Sequence, residues 1–357
     1  MIALFWIAVV AHAAMIINAT ANLIMFRRTR PSTPERGEAL PLVSVLVPAR
    51  NEEATIGRLL SSFQKQDHPH AELIVYDDLS EDSTWQIITS HEDDRIRGIE
   101  GGPLPDGWVG KVNGCYQLSL AARGDVFLFL DADTEFLGQG SLRQMCERYA
   151  ARPPATILTG VPLLRGKGQL IVSMVGTMIL AGMPWWLGKK VPFALMSGVN
   201  GQCWMIDRTV YRYLEPHIEV KDQVLEDIMI GRYLHRKGLT PLLDDTRSDL
   251  AVYMYASFGD AWRGFRKNTA MILGPSTVIS LLSLSVYAFI FVVAPILFPW
   301  LLLSMYAIKL VTDRTAELPW KITILAPVSF LLAIAISLDS ILTRALGRNE
   351  WKGRRVP

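Results

Sequence analysis

Hydrophobic residues are distributed along this chain in two ways. At the two ends they run unbroken; between them they alternate with polar residues in short periods. The first 26 residues contain no Asp, Glu, Lys or Arg. That stretch is long enough for a bilayer crossing, which takes roughly 20 apolar residues. Arg27, Arg28 and Arg30 follow at once. A cleavable leader fits poorly, because there is no basic segment before the apolar run and the run is too long. A second uncharged block extends from Met271 to Ile308. It is too long for one ordinary span and barely enough for two, and Pro295 and Pro299 offer points to break or kink it. A third block, Ile322 to Leu338, has the length of one span.

Between these blocks the period changes. Leu42–Val47 reads as a strand stopped by Pro48, and Glu52–Gln66 as a helix with apolar positions at 54, 56, 59, 60 and 63. Glu72–Tyr76 is a second strand, Thr84–Thr89 the start of a helix, and Val112–Ala122 a helix feeding a third strand at Val126–Leu130. Alternating strands and helices with short connections predict a mostly parallel, doubly wound α/β sheet. Three of the strands end in polar clusters: Ala49-Arg-Asn-Glu52, Asp77-Asp78 and Asp131-Ala-Asp133. If the strands are parallel, all three clusters share one rim, where open α/β sheets bind ligands. In an extended strand Asp131 and Asp133 point to one side. Two carboxylates so placed repel unless a positive charge lies between them, which suits a divalent cation with a phosphate-bearing substrate. The plain alternative is a solvated strand end.

Charge and cysteine content narrow the picture. The net charge of +2 comes without a dominant basic stripe, which argues against a nucleic-acid binder. Cys115, Cys146 and Cys203 are far apart and lack metal-ligand spacing, so they read as reduced thiols. The positive-inside rule places the N-terminus outside and the following domain in the cytosol. The tail with Arg344, Arg348, Lys352, Arg354 and Arg355 should also be cytosolic, which requires an even number of crossings after the soluble domain. The expected organisation is an anchor at 1–26, a linker at 27–40, an α/β domain at 41–270, a membrane region of two or three segments at 271–342 and a basic cytosolic tail at 343–357.

Several motifs carry chemistry. Gly107 to Lys111 forms a Gly-x-x-Gly-Lys loop before a helix whose N-terminal N–H groups suit phosphate; its spacing is not that of a P-loop. Ser197-Gly-Val-Asn-Gly-Gln202-Cys-Trp204 is Gly-rich and then apolar. Glu226-Asp227 opens a helix that Gly238 should end; simple complementation of the helix dipole is the plain reading of that pair. The apolar stretch Leu163–Pro192, with Trp185 and Trp186, reads as a buried helix or as an interfacial one that docks the domain on a bilayer.

Taken in order, Val45-Leu-Val-Pro-Ala-Arg-Asn-Glu52, Asp77-Asp78-Leu-Ser-Glu-Asp-Ser-Thr84, Asp131-Ala-Asp133 and Glu226-Asp227 resemble the inverting family 2 glycosyltransferases of GT-A fold. The resemblance covers roughly Pro41 to Gly238. The segment Gly102 to Cys115 is similar to the subset associated with carotenoid and hopanoid glycosylation. The resemblance implies a Rossmann-like GT-A domain and transfer of a sugar, with inversion, from a nucleotide-sugar donor, expected to be UDP-linked, to an amphiphilic lipid acceptor. It implies Asp227 as the base with Glu226 beside it, and Mg²⁺ or Mn²⁺ at Asp133 and, less directly, Asp131. Glu52, Asp78, Lys111, Asp131, Gln202 and Arg266 would contact substrates. The Gln-x-x-Arg-Trp motif of many membrane-embedded relatives is not intact here; Trp262-Arg-Gly-Phe-Arg266-Lys-Asn268 stands in its place. That departure disfavours a processive polysaccharide synthase. A polyprenyl-phosphate sugar synthase and a non-catalytic scaffold of the same fold are alternatives; a small-span transporter is a third, against which the large charged α/β segment argues.

Overall fold

The computed structural model describes residues 2–28, 40–190, 193–348, 350–351 and 354–355. Most of the linker expected at 27–40, and Lys352 of the tail, lie outside the described residues. The chain divides into two compact units. One comprises residues 28–163 and 187–253. The other comprises 1–27, 164–186 and 254–357.

In the first unit the strands are β1 (Val43–Ala49), β2 (Ala71–Asp77), β3 (Ile96–Glu100), β4 (Val126–Leu130), β5 (Thr134–Phe136) and β6 (Leu158–Val161). After β7 (Leu163–Arg165), at the boundary, come β8 (Cys203–Asp207), β9 (Leu242–Asp245) and β10 (Leu250–Tyr253). Seven of them, among the described residues, form one sheet in the order β3-β2-β1-β4-β8-β6-β9. The three strands expected to share a rim are adjacent and parallel, with Ala49 opposite Asp77 and Leu46 opposite Phe129. β8 runs antiparallel to both its neighbours, which makes the sheet mostly, not wholly, parallel.

The apolar runs follow from burial on both faces. Val43, Val45 and Val47 join Leu59, Phe63 and Leu128 in one core, while Leu46 joins Ile74, Phe127, Phe129 and Leu118 in the other. Two boundaries differ from the sequence reading. β1 continues through Pro48 to Ala49, because its pairing with β4 ends at Leu46 and the missing N–H is not required there. The helix expected from Glu52 begins at Ile56, since Asn51 has φ of 52° and residues 52–55 form a turn.

The second unit is helical. Four helices, among the described residues, are long and apolar enough to cross a membrane: Ile2–Phe26, Gln169–Gly188, Thr277–Leu297 and Ala326–Ala345. The last two run antiparallel. At one end Arg344 donates to the carbonyls of Gly274 and Pro275, at 3.0 and 2.9 Å. Toward the other, Phe330 stacks on Phe291 with centroids 4.3 Å apart. The start of one and the end of the other therefore lie side by side. The stretch between them forms a separate helix, Leu301–Thr315, with a fully buried Lys309–Asp313 pair at 2.7 Å. Lys309 also donates to Ser173 at 2.8 Å, and Thr323 donates to Asp313 at 3.0 Å, so the buried charges are hydrogen-bonded as well as paired.

Strand pairing constrains the remaining apolar helix, whose regular part is Gln169–Gly182. β6 and β8 flank it in sequence and pair directly, Leu158 opposite Met205. Residues 161 and 203 therefore lie on one side of any membrane, so the segment between them makes no net crossing. A single crossing between residues 161 and 203 is excluded, although its length and composition alone would permit one.

Candidate functional site

β4 ends at Leu130, and the chain then turns. Thr134 N–H donates back to the Asp131 carbonyl at 3.2 Å, and Tyr253 N–H donates to the Asp133 carbonyl at 2.9 Å. β5 follows immediately and pairs antiparallel with β10, Val252 opposite Thr134. The two carboxylates thus sit on a tight turn clamped between two sheets, not on the continuous strand that the i, i+2 spacing suggested. Asp133 Oδ1 is buried and has no hydrogen-bond partner. Desolvation, reinforced by the charges of Asp131 and Glu52, pushes its carboxyl up to about 8.

Asp131 is engaged by Lys111. Lys111 sits in the first turn of the helix Gly110–Ala121, and its Nζ lies 2.8 Å from Asp131 Oδ1 and 3.0 Å from Glu226 Oε1. Desolvation pulls the ammonium down, but the two carboxylates outweigh it and hold it well above the usual lysine range. One side chain thereby joins the end of β4 to the start of the helix Glu226–Arg236.

Asp227 is the second residue of that helix. Its Oδ1 accepts the Ile228 N–H at 2.8 Å, and its Oδ2 the Gly201 N–H at a long 3.4 Å. Burial and the neighbouring Glu226 push its carboxyl up to about 6. Gly201 has little space: an added Cβ would meet Asp227 Oδ2 at 3.3 Å and Lys111 Nζ at 3.4 Å. The Gly-rich segment is seated against the helix by a backbone contact. A Cβ on Gly231 would lie 2.2 Å from the Gly198 Cα, Ser197 Oγ donates to the Gly231 carbonyl at 3.1 Å, and Val199 N–H donates to the Asp227 carbonyl at 3.2 Å. Gln202 is half-buried, and its Oε1 lacks a hydrogen-bond partner. Trp204, by contrast, is a core residue stacked on Phe129 with centroids 4.5 Å apart.

Asp78 is buried where β1 and β2 end, with its N–H donated to the Ala49 carbonyl at 2.8 Å. Glu52 accepts from Thr55 Oγ1 at 2.8 Å, and its N–H donates to Thr84 Oγ1 at 2.7 Å. Sequence reasoning noted Arg50 and Asn51 only as members of a polar cluster. In the structure they tie the first two loops together. Arg50 donates to the carbonyls of Asp78 and Leu79, at 2.6 and 2.9 Å, and Asn51 Oδ1 accepts the Glu81 N–H at 2.8 Å. An Asn just after a strand's end is a turn signal the sequence offers, since Asn tolerates the positive φ of 52° that Asn51 adopts. Arg266 belongs to the other unit, where it lies 3.7 Å from Asp339, which also accepts from Trp262 Nε1 at 2.7 Å.

Among the described residues no three His, Cys, Asp or Glu side chains are grouped closely enough to hold a metal on their own. The donor set at 131–133 is two carboxylates, one of them with an unpartnered buried oxygen. That suits a Mg²⁺ or Mn²⁺ ion that takes its other ligands from a diphosphate and water.

Residues 44–214 match the family described as Glycosyl transferase family 2. A 4,4'-diaponeurosporenoate glycosyltransferase from Staphylococcus haemolyticus (strain JCSC1435) is 23% identical over 272 residues, 73% of this chain and 70% of that protein. Its counterpart from Staphylococcus aureus (strain N315) is 30% identical over 145 residues, 40% of this chain but only 38% of its own length. Among solved structures, the mannosyltransferase PcManGT from Pyrobaculum calidifontis, in complex with GDP-Man and Mn²⁺, aligns with 94% of this chain and 99% of its own. Its TM-score is 0.53 at 16% identity, a likeness of fold, and the shared fold is GT-A.

Proposed function

We propose that this chain, a glycosyltransferase whose residues 44–214 match glycosyl transferase family 2, moves a sugar from a nucleoside-diphosphate donor, UDP-linked, to a hydroxyl or carboxyl of an amphiphilic lipid, with inversion. The observation that carries this reading is the junction at Lys111. It joins three distant segments: the Lys111 Nζ lies 2.8 Å from Asp131 and 3.0 Å from Glu226, the residue before Asp227.

Asp227 takes the proton. In a single displacement the acceptor oxygen bonds to the anomeric carbon, its proton passes to Asp227, and the bond from that carbon to the diphosphate oxygen breaks as the nucleoside diphosphate leaves. A carboxylate raised to about 6 is ionised at neutral pH and a better proton acceptor than an ordinary aspartate. The backbone N–H groups of Ile228 and Gly201 hold it in orientation. Asp133, with Asp131, would hold the divalent cation, which when bound supplies Lewis-acid neutralisation of diphosphate charge. Asp78 and Glu52, on the neighbouring loops, are assigned to the nucleoside side, and Gln202, with its unpartnered Oε1, to the transferred sugar.

The lipid acceptor is supported from two directions. Phe193, Leu195 and Met196 are 62%, 69% and 41% exposed immediately before the Ser197–Gly201 segment, whose Gly201 N–H reaches Asp227. The relatives above are named for 4,4'-diaponeurosporenoate. Four apolar helices suit residence in the cell membrane, and the basic residues after the first helix and in the tail suit a catalytic unit on the cytoplasmic side.

Asp227→Asn and Asp133→Ala test the roles. Each should reduce transfer by a factor on the order of 10² or more while the detergent-solubilised protein unfolds at a temperature close to the parent's. Normal turnover by either variant rules out that residue's role.

A further inference from the structure

The ammonium of Lys111 stands where a cation would otherwise be needed. It lies 2.8 Å from Asp131 and 3.0 Å from Glu226, and Gly201 packs against both its Nζ and Asp227. Asp133, two residues beyond Asp131, is left with an unpartnered buried oxygen. Together with the absence of any three-ligand cluster among the described residues, this makes the ligand-free site a poor host for a metal ion. A divalent cation arriving alone finds two protein carboxylates, one of them already paired with an ammonium a few ångströms away, and like charges at that range repel strongly. A cation arriving with a diphosphate brings its own oxygen ligands, and those oxygens also offer Lys111 a new partner.

We propose that Lys111 is a resident counter-ion and positioning residue that makes divalent-cation binding conditional on the nucleotide. In the free protein it neutralises Asp131 and Glu226. When the donor binds, it transfers to the diphosphate, which frees Asp131 for the cation and releases Glu226 beside Asp227. The proposal rests on the donor-and-metal reading above and adds an order of binding that the reading does not contain: cation and nucleotide enter together, not the cation first.

The test is Mn²⁺ binding to the full-length protein in detergent, followed by electron paramagnetic resonance with and without UDP and requiring no turnover. The parent should bind Mn²⁺ weakly alone and at least about tenfold more tightly with UDP. Lys111→Met should tighten Mn²⁺ binding without nucleotide by about tenfold or more and weaken UDP binding in the presence of Mn²⁺, two effects of opposite sign that follow from removing one positive charge. Misfolding cannot produce the gain. Lys111→Arg, which keeps the charge, should stay near the parent in nucleotide-free Mn²⁺ binding. An unchanged nucleotide-free affinity in Lys111→Met, or a parallel loss of both affinities, overturns the counter-ion role. Asp133→Ala in the same assay separates that failure from a failure of the underlying reading: if it binds Mn²⁺ and UDP as the parent does, the metal assignment itself is wrong.

Discussion

Two adjacent carboxylates at the start of one helix are given different tasks by their surroundings. Glu226 is ion-paired to Lys111 at 3.0 Å, whereas Asp227 holds backbone N–H groups only and is pushed up to about 6 by burial and by the charge of Glu226. A base must be ionised to accept a proton, so kcat/KM should fall about tenfold per pH unit below about 6 and be level above it. Glu226→Gln removes a charge that raises Asp227 and should move this limb to lower pH; a limb that stays in place would dissociate the profile from Asp227. The motif residues were legible in the sequence because each follows a strong local signal: Asp131 and Asp133 a buried strand, Asp227 the first turn of a helix with a clear stop at Gly238, whose φ is 81°. Their partners were not. Nothing in the spacing says that Lys111 meets carboxylates, or that Gly198 and Gly231 touch backbone to backbone, because both contacts join segments far apart in the chain.

At the scale of elements, the parallel order of β1, β2 and β4 was readable from apolar runs and crossovers, but the reversed direction of β8 was not. Hydropathy is blind to strand direction. That reversed strand carries a consequence for the helix Gln169–Gly182, which composition alone would accept as a span. Since Leu158 pairs with Met205, the segment between β6 and β8 makes no net crossing. Its Ser173 and Thr177 accept hydrogen bonds from the buried Lys309, at 2.8 and 3.4 Å, which anchors it against the helix Leu301–Thr315. Cysteines placed at the exposed Lys167 and Lys190, in a chain whose three native cysteines are buried, should react with a membrane-impermeant maleimide from the same face of sealed vesicles. Labelling from opposite faces would contradict the strand pairing.

For the whole molecule, the sequence reading required an even number of crossings after the α/β segment to return the basic tail to the side of the catalytic unit. Thr277–Leu297 and Ala326–Ala345 run antiparallel, fastened at one end by Arg344. Residues 28–163 and 187–253 form a unit in which the exposed apolar residues Phe193, Leu195 and Met196 directly precede the Ser197–Gly201 segment, in a chain that also carries long apolar helices. This combination is the ground for assigning the acceptor to the membrane and the donor to the aqueous phase. The most direct measurement is transfer of label from radioactive nucleotide sugars, UDP- and GDP-linked, into a membrane lipid extract by the purified full-length protein. A UDP-sugar should give a labelled, organic-soluble product that is lost on adding EDTA and restored by Mn²⁺ or Mg²⁺. Label that enters only water-soluble acceptors, or transfer that proceeds unchanged in EDTA, would contradict the proposed function.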